Sequence, residues 1–360
     1  MNKEKLTPIQ FSCLVCFPML ALFSGIGTHN IIRIAEIDSY LSVLMSYGIG
    51  LLPLLLFLGI FNYKQELNIV DKNKYLFGKY LGTIINYLIN ICIFAIGIML
   101  LYNVSNFAIS QFLSETPRLV FMILLGIILI YNVSLGIENI SKVAIIFLGI
   151  ICLLTIISTA GVMPTFELSN IKPILEFGIK NPLKGSLALT LTNVVPIFML
   201  LIVPKNQVQQ NKKTHKYIFG FYTLAFLFMF LALILTIGSL GIYLCDLYQY
   251  PEYTVLKKIS IFNFLDRIEN FIYIKWILNA IICLALIIYY IQFSIKKTSK
   301  KLLPTIIVGL LIFISLYFFK NSTAFYQACL SIFPYICLFL FIIYLVIGLN
   351  ILIRKILNTE

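Results

Sequence analysis

Phe23-Ser24-Gly25-Ile26-Gly27-Thr28 interrupts an apolar run that starts near Phe11, resumes at Ile31-Ile32 and ends near Glu36. Two glycines and two hydroxyl side chains within six residues loosen a helix at the middle of what would be a membrane span. Unwound backbone at that depth leaves N–H and C=O groups whose burial in lipid costs several kcal/mol each, so it is tolerated only against protein or a water-filled cavity. The break therefore implies a cavity. A blander reading stands beside it, because Gly-x-Gly also lets two membrane helices approach closely. A phosphate-binding reading fails: no β-strand precedes Gly25 and no Walker lysine follows.

The rest of the chain agrees with a membrane span. Of 360 residues, 61% are hydrophobic and only 11% charged, against about 25% charged in soluble domains, and mean hydropathy is +0.99. Apolar runs long enough to cross about 30 Å of hydrocarbon recur near 9–36, 40–61, 81–113, 118–137, 141–163, 184–203, 216–243, 267–294, 303–319 and 326–352. The expectation is one all-α transmembrane domain over 1–360, with helices 1–5 over about 9–163 and helices 6–10 over about 184–352. The first run is longer than a signal-peptide core and has no small-residue cleavage site, so it is expected to be retained.

Ten spans put both termini on one side. With that side cytoplasmic, 17 of the 27 Lys and Arg fall inside, among them Lys64, Lys72, Lys205, Lys213, Lys296 and Lys355. Acidic residues divide the other way, 5 of 14 inside. The formal charge of +13 is thus a positive-inside signal, aided by anionic lipid, and says nothing of nucleic acid. The connections Lys64–Tyr80 and Phe166–Lys184 carry apolar residues among charges and are expected to hold short interfacial helices.

Gly185–Pro204 places Thr190, Thr192, Asn193, Val194 and Pro196 within another apolar run, and proline removes a backbone hydrogen bond. Interruptions in the first and sixth spans point to a 5+5 inverted repeat of the LeuT type, with broken helices 1 and 6 and a ligand near the midplane between the halves. Half-helix N-termini attract carboxylates and freed carbonyls take ammonium groups, so a zwitterionic amino acid would satisfy both.

The chain resembles the spore-germination permease family, the B-type subunit of germinant receptors, within the amino acid–polyamine–organocation superfamily. The resemblance rests on Phe23–Thr28; on Leu168-Ser169-Asn170-Ile171-Lys172-Pro173-Ile174-Leu175-Glu176 with Gly178 and Leu183-Lys184-Gly185; and on Phe264-Leu265-Asp266-Arg267-Ile268-Glu269. It implies a non-enzymatic sensor of a small, amino-acid-like germinant in the spore inner membrane, working with an A-type membrane subunit and a C-type lipoprotein. A proton-coupled amino-acid transporter of the same fold is the alternative. The implied ligand site comprises Ser24, Gly25, Ile26, Gly27, Thr28, Thr192, Asn193, Val194 and Pro196, joined by Tyr102 and Asn103, where similar proteins often carry charge.

Other polar residues admit two readings each. Lys275 lies deep enough in the eighth span to need a partner, a cavity or snorkelling, with Asn279 one turn on. Superfamily members sometimes hold such a lysine in place of a sodium ion, so it is carried as a coupling or a structural charge. Arg33, Glu36 and Asp38 form either an outer gate or an interfacial cap, and His29 either a ligand contact or a hydrogen-bonded bystander. Asp266 and Glu269 suit a helix N-terminus with or without Arg267, and His215 sits on a basic loop. Cys13-x-x-Cys16 has no second Cys/His pair nearby, the remaining cysteines sit mostly in apolar runs, and neither a metal nor a cofactor is expected.

Overall fold

The computed structural model describes residues 5–176, 178–209, 211, 213–257, 269–295 and 302–357. Among these, regular structure is helical apart from one isolated bridge between Leu6 and Val208. The chain starts with a capping box: Thr7 Oγ1 accepts from Gln10 N at 3.2 Å and Gln10 Oε1 accepts from Thr7 N at 2.8 Å, with Pro8 in the first turn. Helices α1 (Pro8–Cys13), α2 (Cys16–Leu22), α3 (Thr28–Ala35), α4 (Ser39–Ile49) and α5 (Leu51–Asn62) follow in one 55-residue apolar stretch.

At about 1.5 Å per residue that stretch would be far longer than a bilayer is thick. It folds back. Leu6 N donates to Gln207 O at 2.9 Å and Asn206 N to Gln65 O at 3.0 Å, so both ends meet one strip of chain, and Phe11 stacks on Phe61 at 4.8 Å. The reversal is at Glu36–Asp38, where Glu36 holds φ 50. The first two expected spans are therefore two crossings of one hairpin.

Helix α6 (Ile69–Gln111) begins at Ile69 rather than near 81, because the expected interfacial helix is its first segment, turned at Gly78 with φ 80. That segment is tied down by Asn73 Nδ2 on Asn86 Oδ1 at 2.8 Å and by Asn86 Nδ2 on Val70 O at 3.0 Å. Buried Lys72 donates to Ile60 O at 2.7 Å, capping the end of α5. Gly82 lets the segment lie on α6: a Cβ there would stand 2.5 Å from Asn73 O and 2.6 Å from Lys74 Cα, both backbone. Gly82→Ala is expected to destabilise the protein by about 1–3 kcal/mol, read as a lowered thermal midpoint in detergent, whereas Gly59→Ala, with open space around it, should change nothing.

Next come α7 (Arg118–Ser134), α8 (Ile137–Val162), a 3-10 turn at Leu168–Ile171 in the second structured connection, and α9 (Lys180–Leu189). Helix α10 (Thr214–Leu247), the short α11 (Pro251–Lys257), α12 (Glu269–Ile295), α13 (Leu302–Phe318), α14 (Ser322–Ser331) and α15 (Phe333–Ile356) complete the order. Among the described residues, seven helical stretches are long and apolar enough to cross a membrane, the hairpin counting once, and α7 and α13 are shorter apolar helices of 17 residues. Arg354 Nη2 donates to Leu76 O at 2.8 Å, so the C-terminal helix ends on the same face as Leu6, Gln65 and Gln207.

The sixth span departs from expectation. After α9 the chain runs through a π turn, Thr190–Val194, into a 3-10 helix, Val195–Ile202, and Leu189, Thr190, Val194 and Val195 all keep right-handed helical angles. It is re-pitched rather than broken. Pro196 has no N–H to give Thr192 O, and the helix absorbs that loss by changing pitch. Every residue of Val195–Ile202 is buried, which makes this segment the centre of the bundle.

Candidate functional site

The first helix is broken in earnest: Ser24 holds φ −62, ψ 119 and Gly25 φ 77, ψ −53. A Cβ on Gly25 would lie 2.5 Å from the Trp276 ring and 2.8 Å from Asn103 Oδ1, so glycine is required by space as well as by angle. Side chains from other segments brace the break. Asn103 Nδ2 of α6 donates to Ser24 O at 2.8 Å, and Asn193 Nδ2 donates to Met19 O at 2.9 Å while its Oδ1 accepts from Thr192 Oγ1 at 2.8 Å. Ser24 Oγ donates to Leu20 O at 3.2 Å, and Thr28 Oγ1 bonds both Phe23 O and the Glu252 carboxylate.

Beside the break is a cavity of about 110 Å³. Ser24, Leu20 and Phe23 form one wall; Thr155, Ser158 and Thr159 of α8 face them; Thr236, Glu252, Lys275 and Asn279 supply the remaining polar groups. Lys275 Nζ points inward to Ser158 Oγ at 3.3 Å and does not snorkel, while Asn279 Nδ2 bonds the Lys275 carbonyl and not its amine. Among the described residues, Glu252 Oε2 and Asn279 Oδ1 are buried without a hydrogen-bond partner. One carboxylate, one ammonium and several hydroxyls thus face a mostly apolar chamber.

Of the residues expected to bind ligand, Ser24 lines this cavity, and so does Lys275, carried from the sequence as a coupling or a structural charge. Gly25, Ile26, Gly27 and Thr28 continue the break behind it. Thr192, Asn193, Val194 and Pro196 are packed in the bundle centre, where Asn193 braces the break. Tyr102 belongs to a separate cluster: its hydroxyl accepts from Arg118 Nη1 at 2.7 Å, Arg118 Nη2 reaches Asn106 Oδ1 at 2.8 Å, and Asn106 Nδ2 reaches Tyr250 OH at 2.6 Å.

Arg33 pairs with Asp246 at 2.7 Å rather than with Glu36 or Asp38; Asp38 Oδ1 instead accepts from Leu175 N at 3.0 Å. His29 packs on Tyr326 at 4.3 Å between ring centres. Asp266 and Arg267 lie outside the described residues, and Glu269 opens α12. Cys16 Sγ contacts Phe221 O, and no group of three potential metal ligands occurs among the described residues. His215 borders a groove with Lys205 at the Leu6 end of the bundle.

Glu252 is the residue that sequence reasoning misses, because it falls in what reads as an outer loop. Gly241, at φ 73, bends α10 near its end, and α11 then carries Glu252 back to Thr28 at the break. The glycine and Tyr250-Pro251 are the available signals, and both also fit an ordinary loop.

A model of the family described as spore germination protein matches residues 5–327. Spore germination protein XB of Bacillus anthracis is 27% identical over 203 residues, a match spanning 56% of each chain, so it covers little more than half of that relative's length. Spore germination protein KB of Bacillus subtilis (strain 168) is 24% identical over 285 residues, 76% of this chain and 74% of that one. Among solved structures, a mutant form of the manganese transporter of Eremococcus coleocola superposes with a TM-score of 0.58 at 12% identity, covering 92% of this chain and 76% of that one. That likeness gives the fold alone, a LeuT-like membrane architecture. The seven apolar stretches make the protein a multi-pass membrane protein, and on the family match the chain belongs to the spore germination protein family.

Proposed function

We propose that this protein is the germinant-sensing membrane subunit of a spore germination receptor, binding a small amino-acid-like molecule beside the break at Ser24–Thr28. The observation that carries the reading is the cavity at Ser24, which is small, lined by the break and by α8, α10, α11 and α12, and furnished with a half-buried carboxylate and a half-buried amine. In this reading Ser24 to Thr28 are the mobile wall, Asn103 and Asn193 hold its resting shape, and Lys275 is a ligand contact. Ligand binds one conformer of the break better than the other, and the population shift is passed to partner subunits. The partners are an A-type membrane subunit and a C-type lipoprotein, with both termini cytoplasmic in the spore inner membrane and the chain acting as a single domain of two five-helix halves.

A deletion strain complemented with this gene and exposed to a panel of amino acids and nucleosides tests the reading: a germination response restored by amino acids supports it, and a response to nucleosides alone overturns the ligand class. Genes for A- and C-type subunits beside this one would support the complex. The second reading, a proton-coupled amino-acid transporter, is favoured by one observation, the half-buried Glu252 carboxylate hydrogen-bonded across the break. Saturable uptake into proteoliposomes driven by a proton gradient would establish it in place of sensing alone.

A further inference from the structure

The cavity holds two opposite charges that do not pair with each other. Glu252 comes from α11 and bonds Thr28 through one oxygen, while Lys275 comes from α12 and rests on Ser158 Oγ at 3.3 Å. Among the described residues, the second carboxylate oxygen, Glu252 Oε2, has no partner, and neither does Oδ1 of Asn279, a residue 4% exposed that lines the same space. A buried acceptor without a donor costs about 1–3 kcal/mol, more when charged, so the site is left needing donors on one side and an acceptor on the other.

We propose that these groups form a zwitterion site in which Glu252 Oε2 and Asn279 Oδ1 take the ammonium of an α-amino acid and Lys275 takes its carboxylate. The assignment rests on the small-ligand reading above and replaces the midplane site between helices 1 and 6 with one between helices α2, α8, α10, α11 and α12. An ammonium has three donors, enough for both orphaned oxygens. At about 10–15 Å³ of such space per water, the cavity of about 110 Å³ accepts a molecule of roughly seven to eleven non-hydrogen atoms. Leu20, Phe23, Met229, Val255 and Leu256 line the remainder, which suits a short aliphatic side chain. Because Glu252 is also the group bonded to Thr28, the first residue of α3, drawing its carboxylate toward a ligand changes the hold on the outer half of the broken helix.

The test is binding to the full-length purified protein in nanodiscs, with two matched trios: alanine, alaninamide and propionate; valine, valinamide and isovalerate. Wild type should prefer each amino acid over both analogues. Lys275→Met should shrink the preference for the acid over the amide by about 10–100-fold, and Glu252→Gln should shrink the preference for the amino acid over the des-amino acid by a similar factor, the range for hydrogen bonds to charged groups. Asn279→Leu should lower the second ratio severalfold without moving the first. These ratios compare ligands on one protein, so a general loss of stability leaves them unmoved; should Lys275→Met not fold, the Glu252 and Asn279 ratios decide. Amino-acid binding with both ratios unchanged in the variants overturns the zwitterion site alone, whereas a wild type that binds neither amino acid overturns the amino-acid reading with it.

Discussion

Replacing Gly25 with alanine is expected to abolish the germinant response, shifting the required germinant concentration by about 100-fold or more, in a protein that still reaches the membrane. Two costs add at this position. The backbone at φ 77, ψ −53 lies close to the strained γ-turn conformation near φ +75, ψ −65, which L-residues avoid more strongly than the ordinary left-handed region. The new Cβ would also meet Trp276 at 2.5 Å and Asn103 Oδ1 at 2.8 Å, and Trp276 is 2% exposed and packed on Phe107 at 4.0 Å, with little room to retreat. Strain of about 1–3 kcal/mol and overpacking of similar size together amount to a large part of a typical domain's stability. The break is thus driven toward another backbone path, and the cavity wall at Ser24 moves with it. Gly27→Ala is the graded comparison, with ordinary helical angles and neighbours no closer than 3.1 Å, and should cost less; Gly48→Ala, with open space around it, should leave the response intact. Germination of complemented spores, with membrane levels measured by immunoblot, checks the series. A full response from Gly25→Ala would show that the break is not part of the sensing site.

The break is legible in the sequence because its cause is local. Glycine and hydroxyl residues inside an apolar run conflict with a helix in lipid, and that conflict is visible without any partner. The multi-pass, all-helical character of the chain is legible for the same reason, since hydropathy is a property of each segment alone. The sixth span shows the limit: Pro196 signals a lost hydrogen bond, but whether the chain breaks or changes pitch is decided by the packing around it, and here every residue of Val195–Ile202 is buried and held helical. Contacts between distant segments are not legible at all. Arg33 has acidic neighbours at Glu36 and Asp38 yet pairs with Asp246, and Lys275 has Asn279 one turn on yet turns to Ser158. Glu252 is hidden most completely, because a carboxylate followed by Tyr253 and Thr254 between two spans reads as loop, and only the bend at Gly241 returns it to the membrane interior.

Asn103 and Asn193 carry a ligand-binding expectation from the sequence, and their hydrogen bonds give them a different first task that a double-mutant cycle separates. Each amide donates to a carbonyl of the broken helix, Ser24 O at 2.8 Å and Met19 O at 2.9 Å, and both residues are fully buried. Asn103→Leu orphans Ser24 O and is expected to lower stability by about 1–3 kcal/mol, whereas Asn193→Leu removes one of two donors to Met19 O, which keeps Phe23 N. Asn193→Leu should cost less, because Met19 O keeps Phe23 N and Thr192 Oγ1 keeps Ala188 O as its acceptor at 2.9 Å. If both amides hold the same break, losing the first already lets it relax, and losing the second then removes less. The double variant should therefore fall short of the summed single effects by about 0.5 kcal/mol or more in thermal or denaturant unfolding. Additivity would mean that the two bonds stabilise separate pieces of helix. A variant of unaltered stability that no longer responds to germinant would make its asparagine a direct ligand contact, returning that residue to the role its position in the sequence first implied.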